Sequence, residues 1–183
     1  MRIKKKQRDN GGFTLAETLL AVLILLLVST IVATGMPAAK NAYEKIIVAA
    51  NAQVLLSTGA TALRDELGTA WNVQVASNAV TYNSADTGGK SEIKLNSSDQ
   101  NKIYIQEYTK NDYLNVTEKT SIGKERPLVS DKAASDDLIL TYTSLTQSGT
   151  SIVITGLSVK SKDGRDMAKL ESNLTIPVIS FAS

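Results

Sequence analysis

Gly12-Phe13-Thr14-Leu15-Ala16-Glu17 stands between a basic leader and a long apolar run, and the architecture of the whole chain depends on how it is understood. From residue 18 to residue 36, nineteen consecutive positions carry no formal charge and are rich in Leu, Ile, Val and Ala. As a helix rising about 1.5 Å per residue this run is roughly 28 Å long, which matches the hydrocarbon core of a bilayer. A carboxylate costs up to about 3 kcal/mol at the bilayer centre on insertion scales, less near the interface, so Glu17 at the mouth of such a span wants a positive partner. A secretory signal peptide is the competing reading, with an apolar core of about 7–15 residues and a small-residue cleavage site. Ala33-Thr34-Gly35 or Pro37-Ala38-Ala39 would serve as that site, but Gly12-Phe13 and Glu17 would then have no use.

Residues 4–36, with the basic leader, Gly12-Phe13-Thr14, Leu15, Glu17 and the apolar run, resemble the N-terminus of type IV prepilins and of the pseudopilins of type II secretion and competence machines. The resemblance implies cleavage by a prepilin peptidase between Gly12 and Phe13, with Gly11 also in the processing site, and N-methylation of Phe13. It further implies that Phe13 and Glu17 serve assembly, the Glu17 carboxylate pairing with the Phe13 ammonium of the adjacent subunit. Before assembly, Glu17 lies one turn from the Phe13 amine and near the positive helix end, so self-pairing or snorkelling softens its cost. The implied partners are the peptidase, other pilin or pseudopilin subunits, an inner-membrane assembly platform and, before assembly, membrane lipid.

With 183 residues, a leader and a span leave enough chain for one modest extracytoplasmic domain. The formal charge of +2 misleads, because the leader holds Arg2, Lys4, Lys5, Lys6 and Arg8 against Asp9 and the rest of the chain is net −2. The cluster is a topology signal: positive residues stay cytoplasmic, so the chain beyond the span faces out. It argues for membrane orientation over nucleic-acid binding. The absence of cysteine excludes disulfides and thiolate zinc sites, and departs from the many diderm pilins that carry a disulfide in the C-terminal part of the head. The absence of histidine removes the commonest general base.

Gly35 and Pro37 predict a kink or melted turn at the far membrane face. Beyond it Ala39, Ala42, Ile46, Ala49, Leu56, Ala60, Leu63 and Leu67 recur at helical spacing, a stripe expected to pack on the domain's own sheet, with Ile47, Val54 and Leu55 outside it. After Gly68 the texture becomes β-rich, with strands expected at residues 71–76, 79–82, 92–95, 102–108, 138–144, 151–161 and 168–179. Alternation of Ile103 and Ile105 with Tyr104 and Gln106 marks a sheet with two unlike faces. Asp163-Gly164 reads as a type I′ turn joining the last two runs into one hairpin. Residues 84–101 and 117–137 read as surface loops.

The fold class expected is α+β: a long N-terminal helix, membrane-spanning in its first half, packed on an antiparallel β-sheet head, pilin-like. The segments are a leader at 1–12, a span at 13–36, an amphipathic continuation at 37–67 and a β-rich head at 68–183. Asp86, Asp99, Asp131, Asp136 and Asp137 in loop-like stretches fall in no EF-hand spacing, so solvated acids are favoured over calcium ligands. Tyr104, Tyr108 and Tyr113 fit sheet tyrosines better than a nucleic-acid stacking platform. No nucleophile elbow, P-loop or Ser-x-x-Lys arrangement occurs, so neither catalysis nor a cofactor is expected. The expected function is structural: a subunit, of the minor class, of a pilus or pseudopilus, Leu63-Arg64-Asp65-Glu66-Leu67 ahead of Trp71 loosely resembling the helix-to-sheet junction of larger minor pilins. The expected location is the cytoplasmic membrane with the N-terminus inside, then an extracellular or periplasmic filament. A signal-anchored or secreted adhesin-like domain that never polymerises is the alternative.

Overall fold

A computed structural model describes residues 14–84, 89–108, 125–130 and 138–182. The chain divides into two compact units, Met1–Lys45 and Ile46–Ser183, and one helix, α1 (Leu15–Gly68), begins in the first and ends in the second.

In the first unit the helix is a rod of apolar side chains. Every large aliphatic residue from Leu15 to Met36 is at least half exposed, and the segment is long and apolar enough to cross a membrane. Its few hydroxyls are spent inside the helix: Ser29, Thr30 and Thr34 donate to the carbonyls of Leu25, Leu26 and Thr30. They therefore add no unsatisfied polar group to an apolar surface. The melted turn expected at Gly35 and Pro37 does not form, since α1 runs through both. Proline removes one donor, and a helix of 54 residues keeps the remaining ladder on either side.

In the second unit the helix buries Ala52, Leu55, Leu56, Gly59, Ala60, Leu63 and Leu67. The expected stripe holds only in its C-terminal half. Ala39, Ala42, Ile46 and Ala49 are exposed, whereas Leu55, expected off the stripe, is 2% exposed. Because residues 46–56 are apolar on several faces, periodicity alone does not choose which face turns inward. Gly59 lets the helix approach the sheet, since a Cβ there would collide with the side chain of Leu140.

Strands β1 (Trp71–Ala76), β2 (Ala79–Asn83), β3 (Lys90–Asn96), β4 (Lys102–Glu107) and β5 (Glu125–Pro127) form an antiparallel sheet in chain order. Thus β3 contains the strand expected at 92–95 and is longer at both ends, whereas β5 occupies part of the stretch 117–137 expected to be a loop. Lys90-Ser91, ahead of the expected strand, reads as polar and loop-like, yet both join β3, an inner strand paired on both edges, in which Ser91 and Glu92 are buried. Ile103 and Ile105 face the core as expected. Gln106 on the opposite face is also buried, and its side chain accepts a hydrogen bond from Lys94 at 2.7 Å.

Strands β6 (Leu138–Thr141), β7 (Ser144–Ser148), β8 (Ser151–Thr155), β9 (Ser158–Ser161), β10 (Asp166–Lys169) and β11 (Leu174–Pro177) make two three-stranded antiparallel sheets, β10-β9-β6 and β11-β8-β7. They are three long meander strands, each broken at the same level, at Tyr142-Thr143, at Gly156-Leu157 and at residues 170–173. Thr143 N–H still donates to Thr155 O, and Leu170 N–H to Leu157 O, across the break. Gly156 makes the bend: its φ is +67°, and a Cβ would strike the Thr143 side chain. The expected hairpin is present, β9 pairing β10 and β8 pairing β11. Its turn differs from the expectation. Gly164 has φ +79° and Asp163 does not share the left-handed region, while Ser161 N–H donates to Arg165 O. This is a three-residue connection with glycine at the left-handed position. The two-residue turn with positive φ at both positions is Ser77-Asn78, at 50° and 64°.

Candidate assembly site at the start of the apolar helix

Thr14 and Glu17 close on each other at the helix start. Thr14 N–H and Oγ1–H donate to Glu17 Oε2 at 2.9 and 3.0 Å, and Glu17 N–H donates to Thr14 Oγ1 at 3.3 Å. This is a reciprocal capping box, which satisfies donors that the first helical turn would otherwise leave open. Its sequence signal is the Thr-x-x-Glu spacing of Thr14-Leu15-Ala16-Glu17, which gives the acid a use within its own chain that the assembly reading passes over. Both residues are exposed. Both hydrogen bonds from Thr14 go to Oε2, and among the described residues Oε1 of Glu17 accepts none. Gly11, Gly12 and Phe13 lie outside the described residues.

The other candidates that lie among the described residues are engaged within the fold. Asp99 ends a 3-10 turn (Ser97–Asp99), accepts from the Tyr104 hydroxyl at 2.7 Å and pairs with Lys102 at 3.4 Å. The Tyr104 hydroxyl, then Lys102, hold its carboxyl below the usual carboxylate range. Tyr108 donates to Glu92 at 2.6 Å. Asp86, Asp131, Asp136, Asp137 and Tyr113 lie outside the described residues, and among the described ones no three acidic side chains gather as a metal site would require.

A half-buried polar contact at the C-terminal end of α1 goes beyond the sequence expectations. Tyr82, fully buried, donates to Glu66 Oε1 at 2.7 Å, and Ser84 donates to the same oxygen at 3.3 Å. Burial, then the Glu66 charge, pushes the Tyr82 phenol well above its ordinary range. Glu66 in Leu63-Arg64-Asp65-Glu66-Leu67 thus joins helix to sheet while Leu63 and Leu67 fill the core. No model of a known protein family matches this chain, and neither a curated protein nor a solved structure is detectably similar to it.

Proposed function

We propose that this chain is a prepilin-like structural subunit, cut between Gly12 and Phe13 and built into a helical filament through α1. The carrying observation is Glu17: an acid fixed at the start of a charge-free helical surface that is exposed throughout, with one oxygen free of partners among the described residues. A helix apolar all round needs either lipid or other helices to cover it. A filament supplies the second after the membrane has supplied the first. The basic leader orients the span with its N-terminus inside and the compact β-rich unit outside. The size of that unit, with eleven strands among its described residues, supports a minor position, since a bulky head crowds every step of a shaft less when it is rare or terminal.

The mature N-terminus tests the reading. Mass spectrometry is expected to find Phe13, methylated, and Gly12→Val is expected to leave full-length precursor in the membrane. A mature chain beginning at Met36 or Lys40 would instead identify a secreted, non-polymerising domain. In sheared filaments the chain is expected at low stoichiometry, and finding it dominant would remove the minor assignment alone.

A further inference from the structure

We infer that Asn173 is an acceptor site for N-linked glycan. Three Asn-x-Ser/Thr triplets occur, beginning at Asn96, Asn115 and Asn173. Such a triplet is an acceptor when the Asn amide and the hydroxyl two residues on are accessible together. At Asn96 the side-chain oxygen caps the following 3-10 turn, accepting from Ser98 N–H at 3.0 Å, so the amide is committed to the fold. Asn115 lies outside the described residues. Asn173 immediately precedes β11, where strand alternation sends Leu174 inward, 1% exposed, and leaves Asn173 and Thr175 both exposed. The core contact of Leu174 therefore fixes the register that presents amide and hydroxyl on one side. No hydrogen bond among the described residues engages the Asn173 amide. Glu171, two residues earlier, is exposed as well, so the chain on the N-terminal side of the triplet is open to solvent.

The donor is a saccharide carried on a polyprenyl pyrophosphate, and the transfer balances without an oxidant. Asn173 Nδ2 forms a bond to the anomeric carbon, the bond from that carbon to the pyrophosphate oxygen breaks, the amide gives up one proton, and the lipid pyrophosphate leaves. Such donors are used on the outer side of the cytoplasmic membrane, so the inference rests on the proposed orientation.

The test uses the full chain isolated from its own cells. Tryptic cleavage after Lys169 places Asn173 in a peptide that begins at Leu170 and meets no further Lys or Arg through Ser183, and this peptide is expected to carry a glycan mass. Asn173→Gln and Thr175→Ala are each expected to abolish that mass, whereas Thr175→Ser and Asn96→Gln retain it. Because the chain has no cysteine, a single Thr150→Cys in the exposed β7–β8 turn reports orientation through a membrane-impermeant maleimide. Labelled chain with an unmodified peptide would overturn the glycan site and leave the orientation standing. Chain unlabelled in intact cells but labelled after lysis would overturn both.

Discussion

The Glu17 carboxylate caps the helix start and carries a charge, and two substitutions separate the cap from the charge. As the third residue of the helix it accepts from Thr14 in the cap, and in the proposed filament its charge pairs with a cation. Glu17→Gln keeps a side-chain oxygen to accept from Thr14 N–H and removes only the charge. Thr14→Ala keeps the charge and loses the reciprocal cap, at about 0.5–2 kcal/mol of helix-start stability. If charge pairing drives assembly, Glu17→Gln is expected to be processed and inserted normally yet absent from sheared filaments, while Thr14→Ala still enters them at reduced yield. Wild-type incorporation of Glu17→Gln would show that capping is the whole role of the residue. The cap is legible in the Thr-x-x-Glu spacing of Thr14-Leu15-Ala16-Glu17, but the resemblance draws the acid toward an expected assembly role and obscures its local use.

At the scale of elements, the meander bend depends on Asn78. Its backbone carbonyl accepts from the Tyr142 hydroxyl at 2.7 Å, Oδ1 accepts from Leu145 N–H at 2.7 Å, and Nδ2 donates to Thr143 O at 3.2 Å. The β1–β2 turn is thereby pinned to the β6–β7 break. Asn78→Ala leaves the Leu145 donor without its partner and puts a residue with no compensating side-chain bond at φ 64°, an expected loss of about 2–4 kcal/mol in denaturant unfolding. Asn78→Gly relieves the backbone term and is expected to lose less; equal losses would mean the backbone conformation contributes nothing. In the helix, Leu63→Ala is expected to cost about 2–5 kcal/mol, while Ile46→Ala, at a residue 67% exposed, leaves the fold unchanged. Strand β1 is legible end to end, because Trp71, Val73 and Val75 alternate with Asn72 and Gln74 between Gly68 and a two-residue turn. The break inside residues 151–161 is not, although Gly156 marks it: a lone glycine within an apolar strand signals a bend, and only cross-strand packing shows that all three strands bend together. Pro37 misleads in the opposite direction, since helical propensity on both sides outweighs one lost donor.

For the molecule as a whole, composition sets an unusual response to pH. There is no histidine and no cysteine, so the groups that most often titrate near neutrality are missing. The compact β-rich unit instead holds two core tyrosines. Burial, reinforced by Glu66, raises Tyr82, and burial, reinforced by Glu92, raises Tyr142. In the unfolded chain both phenols ionise at pH ~10, whereas in the folded chain they stay protonated at that pH. Above pH ~10 the unfolded state therefore binds fewer protons than the folded state, and stability falls as pH rises; below it, both hydroxyls contribute fully. The decline is at most about 1.4 kcal/mol per pH unit for each tyrosine. Asp99 acts with the opposite sign at the acid end, contributing above the ordinary carboxylate pKa and losing that contribution as pH falls through its lowered value, though solvent exposure keeps its share small. Urea midpoints followed by circular dichroism are thus expected to be flat from about pH 6 to about pH 9 and to drop steeply above about pH 10. Tyr82→Phe and Tyr142→Phe are each expected to flatten the alkaline limb, and together to remove most of it, because phenylalanine has no proton to release. A double variant that retained the full alkaline slope would place the responsible groups elsewhere, and would detach the Tyr82–Glu66 contact from the stability of the helix-to-sheet junction.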